Sequence, residues 1–246
     1  MKYDDTIIVI PARYGSTRLP GKSLMDINGV PMVIRVMNIA KKLDICNVIV
    51  ATENKKVVDT VSEYNGTAIL TDDNLQSGTD RVYQAIQKLN HKYKYIINLQ
   101  GDMPNIDEKI IEKISDVLHE NRDIDILTAV YRIKDNEWRK KTQCVKAVLS
   151  SYDYNDNNYY KCLYFSRSDV PNGNGDAFAH LGIYGYTENS LQKFVSLPTS
   201  YLEKSERLEQ LRALENDMSI YAIITENFPV SVDIEEDLEM ARKIIK

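Results

Sequence analysis

The chain is poor in cysteine: the three it has, Cys46, Cys144 and Cys162, are odd in number and show no C-x-x-C spacing. That argues against a disulfide framework, gives no sign of a zinc site and fits a reducing cytoplasm. Positive charge is not in excess either. The formal net charge is −5, which argues against a nucleic-acid partner or an anionic membrane surface. No apolar run reaches membrane-spanning length, and the opening "MKYDDT" is acidic where a secretory leader needs bases. A soluble, cytoplasmic protein is the expectation, with no membrane and no nucleic-acid partner. Internal repeats are absent, and the biased stretches "SSYDYNDNNYY" and "PNGNGD" read as turns or loops, not linkers.

What is present is a 246-residue chain, 43% hydrophobic, long enough to bury the core of one α/β domain with an insertion. Strand-like runs alternate with helical periodicity through the first half: "TIIVI", Pro31 to Leu43, "NVIVAT", Lys55 to Tyr64, "TAILT", Thr79 to Leu89, "YIINLQ" and Glu108 to Leu118. Such alternation predicts a parallel sheet with helices on both faces. Asp107 is placed to cap the last of these helices, with Ile106 and Ile111 as a hydrophobic staple. From Asp125 to Arg167 the pattern changes to "DILTAVYRI", "CVKAVLSSY" and "YYKCLYFSR", the last two flanking an Asp/Asn-rich turn that predicts an antiparallel hairpin. "HLGIYGYT", a helical stretch containing "ERLEQLRALE", the strand "SIYAIIT" and a dipole-complementing helix "EEDLEMARKIIK" complete the chain. The expected organisation is a core of about 1–120 and 216–246, with an α+β insertion of about 121–215.

The stretch "GSTRLPGKS" resembles a P-loop but fails its spacing: five residues separate Gly15 from Gly21, and Asn28-Gly29 calls for a turn where a P-loop needs a helix. Its cations still suit a triphosphate, which carries about four negative charges. Arg13 and Arg18 offer planar forks and Lys22 a movable point charge. Gly15 and Gly21 permit positive φ and close approach of backbone N–H groups to phosphates. The plain alternative is a solvated basic loop.

Asp102 in "LQGDMP" and Asp233 in "VSVDIEEDLE" stand where strands are expected to end, Asp233 after a short strand. Two such carboxylates suit magnesium, which fills its shell with waters and phosphate oxygens. Taken singly, Asp102 reads equally as a turn residue and Asp233 as a helix cap.

The motifs "IIVIPARYGSTRLPGKSLMDINGVPM", "QSGTDR", "INLQGDMP", "YFSR", "HLGIYGY", "LEQLRALE" and "VDIEEDLE" together resemble, in order and over essentially the whole chain, the CMP-KDO synthetase (3-deoxy-manno-octulosonate cytidylyltransferase) family. The resemblance implies a Rossmann-like nucleotidyltransferase core, an inserted region for sugar binding and dimerisation, a homodimer, and activation of KDO by CTP and Mg²⁺ for lipopolysaccharide synthesis. By motif, Arg13, Ser16, Arg18 and Lys22 would hold the triphosphate; Gln76, Ser77, Gly78 and Gln100 would surround the cytidine. Asp102 and Asp233 would be the magnesium ligands, forming the catalytic set with Arg13 and Lys22. Arg167, His180, Tyr184, Glu209 and Gln210 would surround the sugar acid, where a carboxylate needs a cation and hydroxyls need mixed donors and acceptors.

Alternatives remain in the residues themselves. His180 reads also as a core histidine, and Leu208, Leu211 and Leu214 at helical spacing read as core or interface, leaving Glu209 and Gln210 to face ligand or water. The sequence departs from the family pattern in four places. Met103 follows Asp102 where the family carries Glu, "KKTQCVKAV" lacks an Asn-Pro-Asn-like lead, the segment from Ser168 to Ala179 is short, and "FPVSVD" lacks a glycine. The implied reaction is attack of the KDO 2-hydroxyl on the α-phosphate with loss of pyrophosphate. CMP-sialate or 8-amino-KDO cytidylyltransfer and a silent nucleotide-binding regulator are the rival functions.

Overall fold

A computed structural model describes residues 2–15, 18–121, 123–153, 159–173 and 175–245. Two compact units divide the chain, Met1–Ser115 with Pro229–Lys246, and Asp116–Phe228.

In the first unit the strands are β1 (Thr6–Pro11), the short pair β2 (Asp26–Ile27) and β3 (Val30–Pro31), β4 (Asn47–Thr52), β5 (Ala68–Leu70) and β6 (Tyr95–Leu99). Helices α1 (Met32–Lys42), α2 (Lys55–Glu63) and α3 (Gly78–Gln87) connect them, and α4 (Glu108–Glu120) follows β6 and runs across the boundary into the second unit. The Asn28-Gly29 turn forms as expected: both residues have positive φ, 51° and 84°, and join β2 to β3 as an antiparallel pair. β1 is buried along its whole length, which is why its apolar residues run on without alternation.

The parallel order is β5-β4-β1-β6. From β1 the chain winds outward through β4 to β5, then returns to the other side of β1 as β6. With right-handed crossovers that reversal puts α3 on the face opposite α1 and α2. It also creates a switch in strand order between β1 and β6, whose carboxyl ends form the natural ligand crevice. Gly101 reflects that closeness: a Cβ there would lie 3.1 Å from the Pro11 carbonyl oxygen.

The C-terminal helix Glu235–Ile244 returns to this unit, where Leu238 and Ala241 pack with Leu19, Ile27, Met32 and Val232. Asn28 Nδ2 donates to the carbonyls of Arg242 and Ile245, closing that helix end against the β2–β3 turn. The short strand expected before Asp233 is not formed. Instead the Val232 N–H donates to the Asp102 carbonyl (2.9 Å) and the Val230 N–H to Asn105 Oδ1 (2.8 Å), sewing an irregular segment to the turn after β6.

The second unit contains β7 (Ile126–Arg132), α5 (Asn136–Arg139), β8 (Lys146–Asp153), β9 (Tyr159–Ser166), β10 (Phe178–Thr187), α6 (Glu188–Ser196), α7 (Tyr201–Glu206), α8 (Leu211–Glu215) and β11 (Ile220–Thr225). Its order is β10-β7-β11-β9-β8, with β8 also pairing with the start of β10. β8 and β9 form the antiparallel hairpin; the Asp/Asn-rich turn itself lies outside the described residues. Two boundaries differ from expectation. β11 lies between β7 and β9, so residues 216–228 group with the insertion and not with the core. The "ERLEQLRALE" stretch is no continuous helix: Arg207 adopts left-handed φ 56° between α7 and α8.

Candidate active site

The loop after β1 is folded by its own backbone. Gly21 N–H donates to the Tyr14 carbonyl (3.0 Å), and Gly21 takes φ 72°, a conformation that glycine reaches without a Cβ penalty. A single 3₁₀ turn, Lys22–Leu24, follows and aims Lys22 at the two aspartates. Lys22 Nζ lies 2.9 Å from Asp102 Oδ2 and 3.1 Å from Asp233 Oδ1, and Arg18 Nη2 lies 3.2 Å from the same Asp233 oxygen. Burial weakens the Lys22 ammonium, but the charges of Asp102 and Asp233 outweigh it and hold its pKa above the ordinary lysine value.

Asp233 is not the helix cap. The N-cap position is Ile234, and Asp237, three residues on, reaches back to accept from the N–H groups of Asp233 (2.9 Å) and Ile234 (3.1 Å), so the Asp233 carboxylate is left to the cations. Asp102 does sit in a turn, yet its side chain also faces Lys22. The two aspartates are brought together by the backbone bond from Val232 to Asp102, a long-range contact that neither local motif encodes.

Beside this cluster is a cavity of about 310 Å³ at the ends of β1 and β6. Arg13, Arg18, Lys22 and Asp102 line one part of it; Gln76, Ser77, Gly78 and Gln100 line another. Ser16 lies outside the described residues. Ser77 is the N-cap of α3: its Oγ accepts from Asp80 N (3.1 Å) and lies 2.9 Å from Asp80 Oδ2, so the helix start, with its partial positive charge, faces the cavity. Gln100 is oriented from below, its Nε2 donating to the fully buried Asn98 (3.1 Å).

The remaining expected residues all belong to the second unit. Arg167 directs Nε to the Glu206 carbonyl (3.1 Å), Nη1 to that of Thr142 (3.2 Å) and Nη2 to that of Arg207 (3.5 Å). The cation read as a partner for the sugar carboxylate is, in the fold, a fork engaged with main chain through three of its five donors. Glu206 locks the same segment by accepting from Ser166 Oγ and Arg167 N.

His180 stacks edge-on to Phe165 and lies beside Tyr184, with ring centroids 5.1 and 5.3 Å away. Burial pushes its pKa down to about 3, so it is neutral across the physiological range. Thr128 Oγ1 donates to the Ile183 carbonyl (2.7 Å), which leaves it to accept from His180 Nε2–H (3.0 Å) and fixes the tautomer. Tyr184 is raised well above its usual pKa by burial, then by Tyr186 and Glu209, which places Glu209 in the same cluster. Gln210, read as facing ligand or water, is 5% exposed, which goes against the water alternative, and its Nε2 has no hydrogen-bond partner. Leu208 and Leu211 are buried, as the core reading expects, but Leu208 precedes α8 and does not share a helix with Leu211.

The sequence matches the family described as Cytidylyltransferase over residues 7–220. The chain belongs to the cytidylyltransferase family. It is 43% identical to the 3-deoxy-manno-octulosonate cytidylyltransferase of Rickettsia prowazekii, covering 100% of this chain and 97% of that protein. It is 42% identical to the enzyme of the same name from Rhodospirillum rubrum, covering 97% and 95%. A solved structure of CMP:2-keto-3-deoxy-manno-octonic acid synthetase complexed with CTP matches with TM-score 0.90 and 33% identity over 98% of each chain. Apo UDP-glucose pyrophosphorylase, at 11% identity and TM-score 0.69 over 97% of each chain, shares the fold alone.

In this cytidylyltransferase, two charged residues near the cavity were not singled out by motif reading. Glu53 follows β4 directly, and Arg81 lies one turn into α3 among its buried residues. They are paired at 3.2 Å and almost wholly buried. A legible signal existed in each case: a carboxylate at a parallel strand's carboxyl end, and an arginine on the apolar face of an amphipathic helix.

Proposed function

We propose that this cytidylyltransferase transfers the cytidylyl group of CTP to the 2-hydroxyl of 3-deoxy-manno-octulosonate, with the nucleotide held in the cavity of the first unit. The observation that carries the assignment is the convergence of Lys22 and Arg18 on the Asp102–Asp233 pair at the β1/β6 switch point. Arg13, Arg18 and Lys22 neutralise the triphosphate, while Gln76, Gly78 and Gln100 edge the base and ribose and the α3 start adds its dipole.

The two carboxylates fit Mg²⁺ on this structure's own terms. Their oxygens are hard donors, and they already bracket one positive charge at 2.9 and 3.1 Å. Among the described residues no group of three or more metal-type side chains converges, and a magnesium ion sharing phosphate oxygens needs none. When bound, the ion would neutralise phosphate charge and ease loss of the acceptor proton.

In the transfer, the acceptor oxygen forms a bond to the α-phosphorus as the bond to the bridging oxygen of the β-phosphate breaks. The electron pair leaves with pyrophosphate, and the hydroxyl proton passes to solvent. Lys22 and the arginines stabilise charge accumulating on the leaving group. Arg167, Tyr184, Glu209 and Gln210 would recognise the sugar acid, with His180 acting as a neutral hydrogen-bonding group and not as a base. Among the described residues no helix is long and apolar enough to cross a membrane, and we place the enzyme in the cytoplasm as a homodimer supplying lipopolysaccharide synthesis.

The test is pyrophosphate release from CTP and Mg²⁺ with 3-deoxy-manno-octulosonate, 8-amino-KDO or a sialic acid as acceptor. Release with the first, well above the other two, supports the reading. Preference for another acid overturns the acceptor, and no release with any acid overturns the activity.

A further inference from the structure

We infer that Glu53 is a positioning residue that fixes the loop after β1 by filling its amide nest with a permanent, protein-borne anion. Tyr14 N–H (2.8 Å) and Gly15 N–H (3.4 Å) both point at Glu53 Oε1. Two consecutive amides converging on one oxygen form an anion-binding concavity of the type that cradles phosphate elsewhere. Here the occupant is a carboxylate that cannot readily leave. Its other oxygen is 3.2 Å from Arg81 Nη1, and the two side chains are 8% and 3% exposed. Arg81 is held in turn by Thr71 Oγ1 and the Asp72 carbonyl. Withdrawing Glu53 to admit a phosphate would strand a buried guanidinium, which is strongly unfavourable.

The consequence revises how the loop works. Backbone N–H groups near Gly15 were expected to approach phosphates, but Gly15 is not among the residues with positive φ and its amide is already engaged. Phosphate recognition then falls to the side chains of Arg13, Arg18 and Lys22, whose directions depend on where Glu53 holds the backbone. Arg81 lines the cavity floor, and both Glu53 and Arg13 act electrostatically on it. Glu53 thus balances the guanidinium against which Arg13 must be placed. Lys56 over the Tyr14 ring, at 5.8 Å, is a further contact between the loop and α2.

This rests on the nucleotide assignment above, and its test separates the two. Amide hydrogen exchange of Tyr14 and Gly15, read without nucleotide, reports the anchor; calorimetric CTP affinity and the KM values for both substrates report its use. In Glu53→Ala the two amides should lose protection while the rest of β1 keeps it. CTP binding should weaken by about tenfold or more, as for loss of a charge-assisted hydrogen bond, with the acceptor KM unchanged. Glu53→Gln keeps an acceptor for Tyr14 N–H but loses the ion pair, and Glu53→Gln with Arg81→Gln restores a neutral pair; this double variant should recover loop protection and also serves if Glu53→Ala does not fold. Unchanged exchange in folded Glu53→Ala, or a folded double variant whose loop amides stay unprotected, overturns the anchor. Tighter CTP binding in Glu53→Ala also overturns it, since Glu53 would then be competing with phosphate for the amides. Failure of the wild-type protein to bind CTP, with the amides still protected, would defeat the nucleotide assignment and leave the anchor standing.

Discussion

Lys22 Nζ lies 2.9 Å from Asp102 Oδ2, and the same nitrogen lies 3.1 Å from Asp233 Oδ1. One ammonium therefore balances the pair of carboxylates assigned to magnesium. A metal ion taking up the same oxygens must displace it, and a triphosphate offers the displaced ammonium new partners. If magnesium binds there as proposed, metal and nucleotide binding would thereby be coupled, each making room, or charge, for the other.

That coupling gives Lys22→Met two opposite effects. Turnover should fall roughly a hundredfold or more, because one electrostatic partner of the departing pyrophosphate is lost. Mn²⁺ binding without nucleotide, followed by its paramagnetic resonance signal, should tighten by about tenfold or more, since a cation adjacent to both carboxylates is gone. Weaker or unchanged Mn²⁺ binding in a folded variant would mean that Lys22 does not contest the metal position.

The two acids at the start of the C-terminal helix should separate cleanly. Asp237 accepts the N–H groups of Asp233 and Ile234 from the N3 position, so Asp237→Ala should cost about 1 kcal/mol of stability or more, as loss of such hydrogen bonds does. Asp233→Asn should leave thermal stability nearly unchanged and raise the Mg²⁺ concentration needed for half-maximal activity, because an amide keeps the shape but not the charge. Melting curves and a metal titration of both variants decide it. A destabilised Asp233→Asn with normal metal dependence would reverse the assignment.

The alternating pattern made the parallel half of the fold legible, because buried parallel strands and amphipathic helices announce themselves within ten residues. The Asn28-Gly29 turn was legible for the same local reason. What escaped reading depends on contacts between distant segments. Asp233 follows an irregular stretch, not a strand, because Val232 bonds to the backbone of Asp102. Arg207 breaks the expected long helix in a conformation that no local signal marks. The cationic loop was recognisable by residue type, and the structure does gather Arg13, Arg18, Lys22 and Asp102 around one cavity. Its anchor Glu53, 38 residues beyond Gly15, was not. Arg167 illustrates the limit from the other side: the type suggests a ligand for a carboxylate, but only the fold reveals the carbonyls that already orient it.

His180 should govern part of the acid limb of stability. Burial lowers its pKa from the ordinary 6.5 to about 3, so the unfolded chain binds the proton more readily than the folded one. The sign follows: stability is fully present above pH 6.5 and is lost as pH falls from there toward 3, by at most about 1.4 kcal/mol per pH unit from this group. Below about 3 the folded protein is protonated too, and the residue contributes no further loss. Replacing it by Gln keeps a side-chain N–H for Thr128 and removes the titration. Denaturant midpoints of wild type and His180→Gln, measured between pH 7 and 4, should therefore diverge in slope, with the variant flatter. Parallel slopes would mean that the ring takes up its proton in the folded protein as easily as in the unfolded chain. The imidazole would then be open to acid–base work at the sugar end, contrary to the neutral role assigned to it.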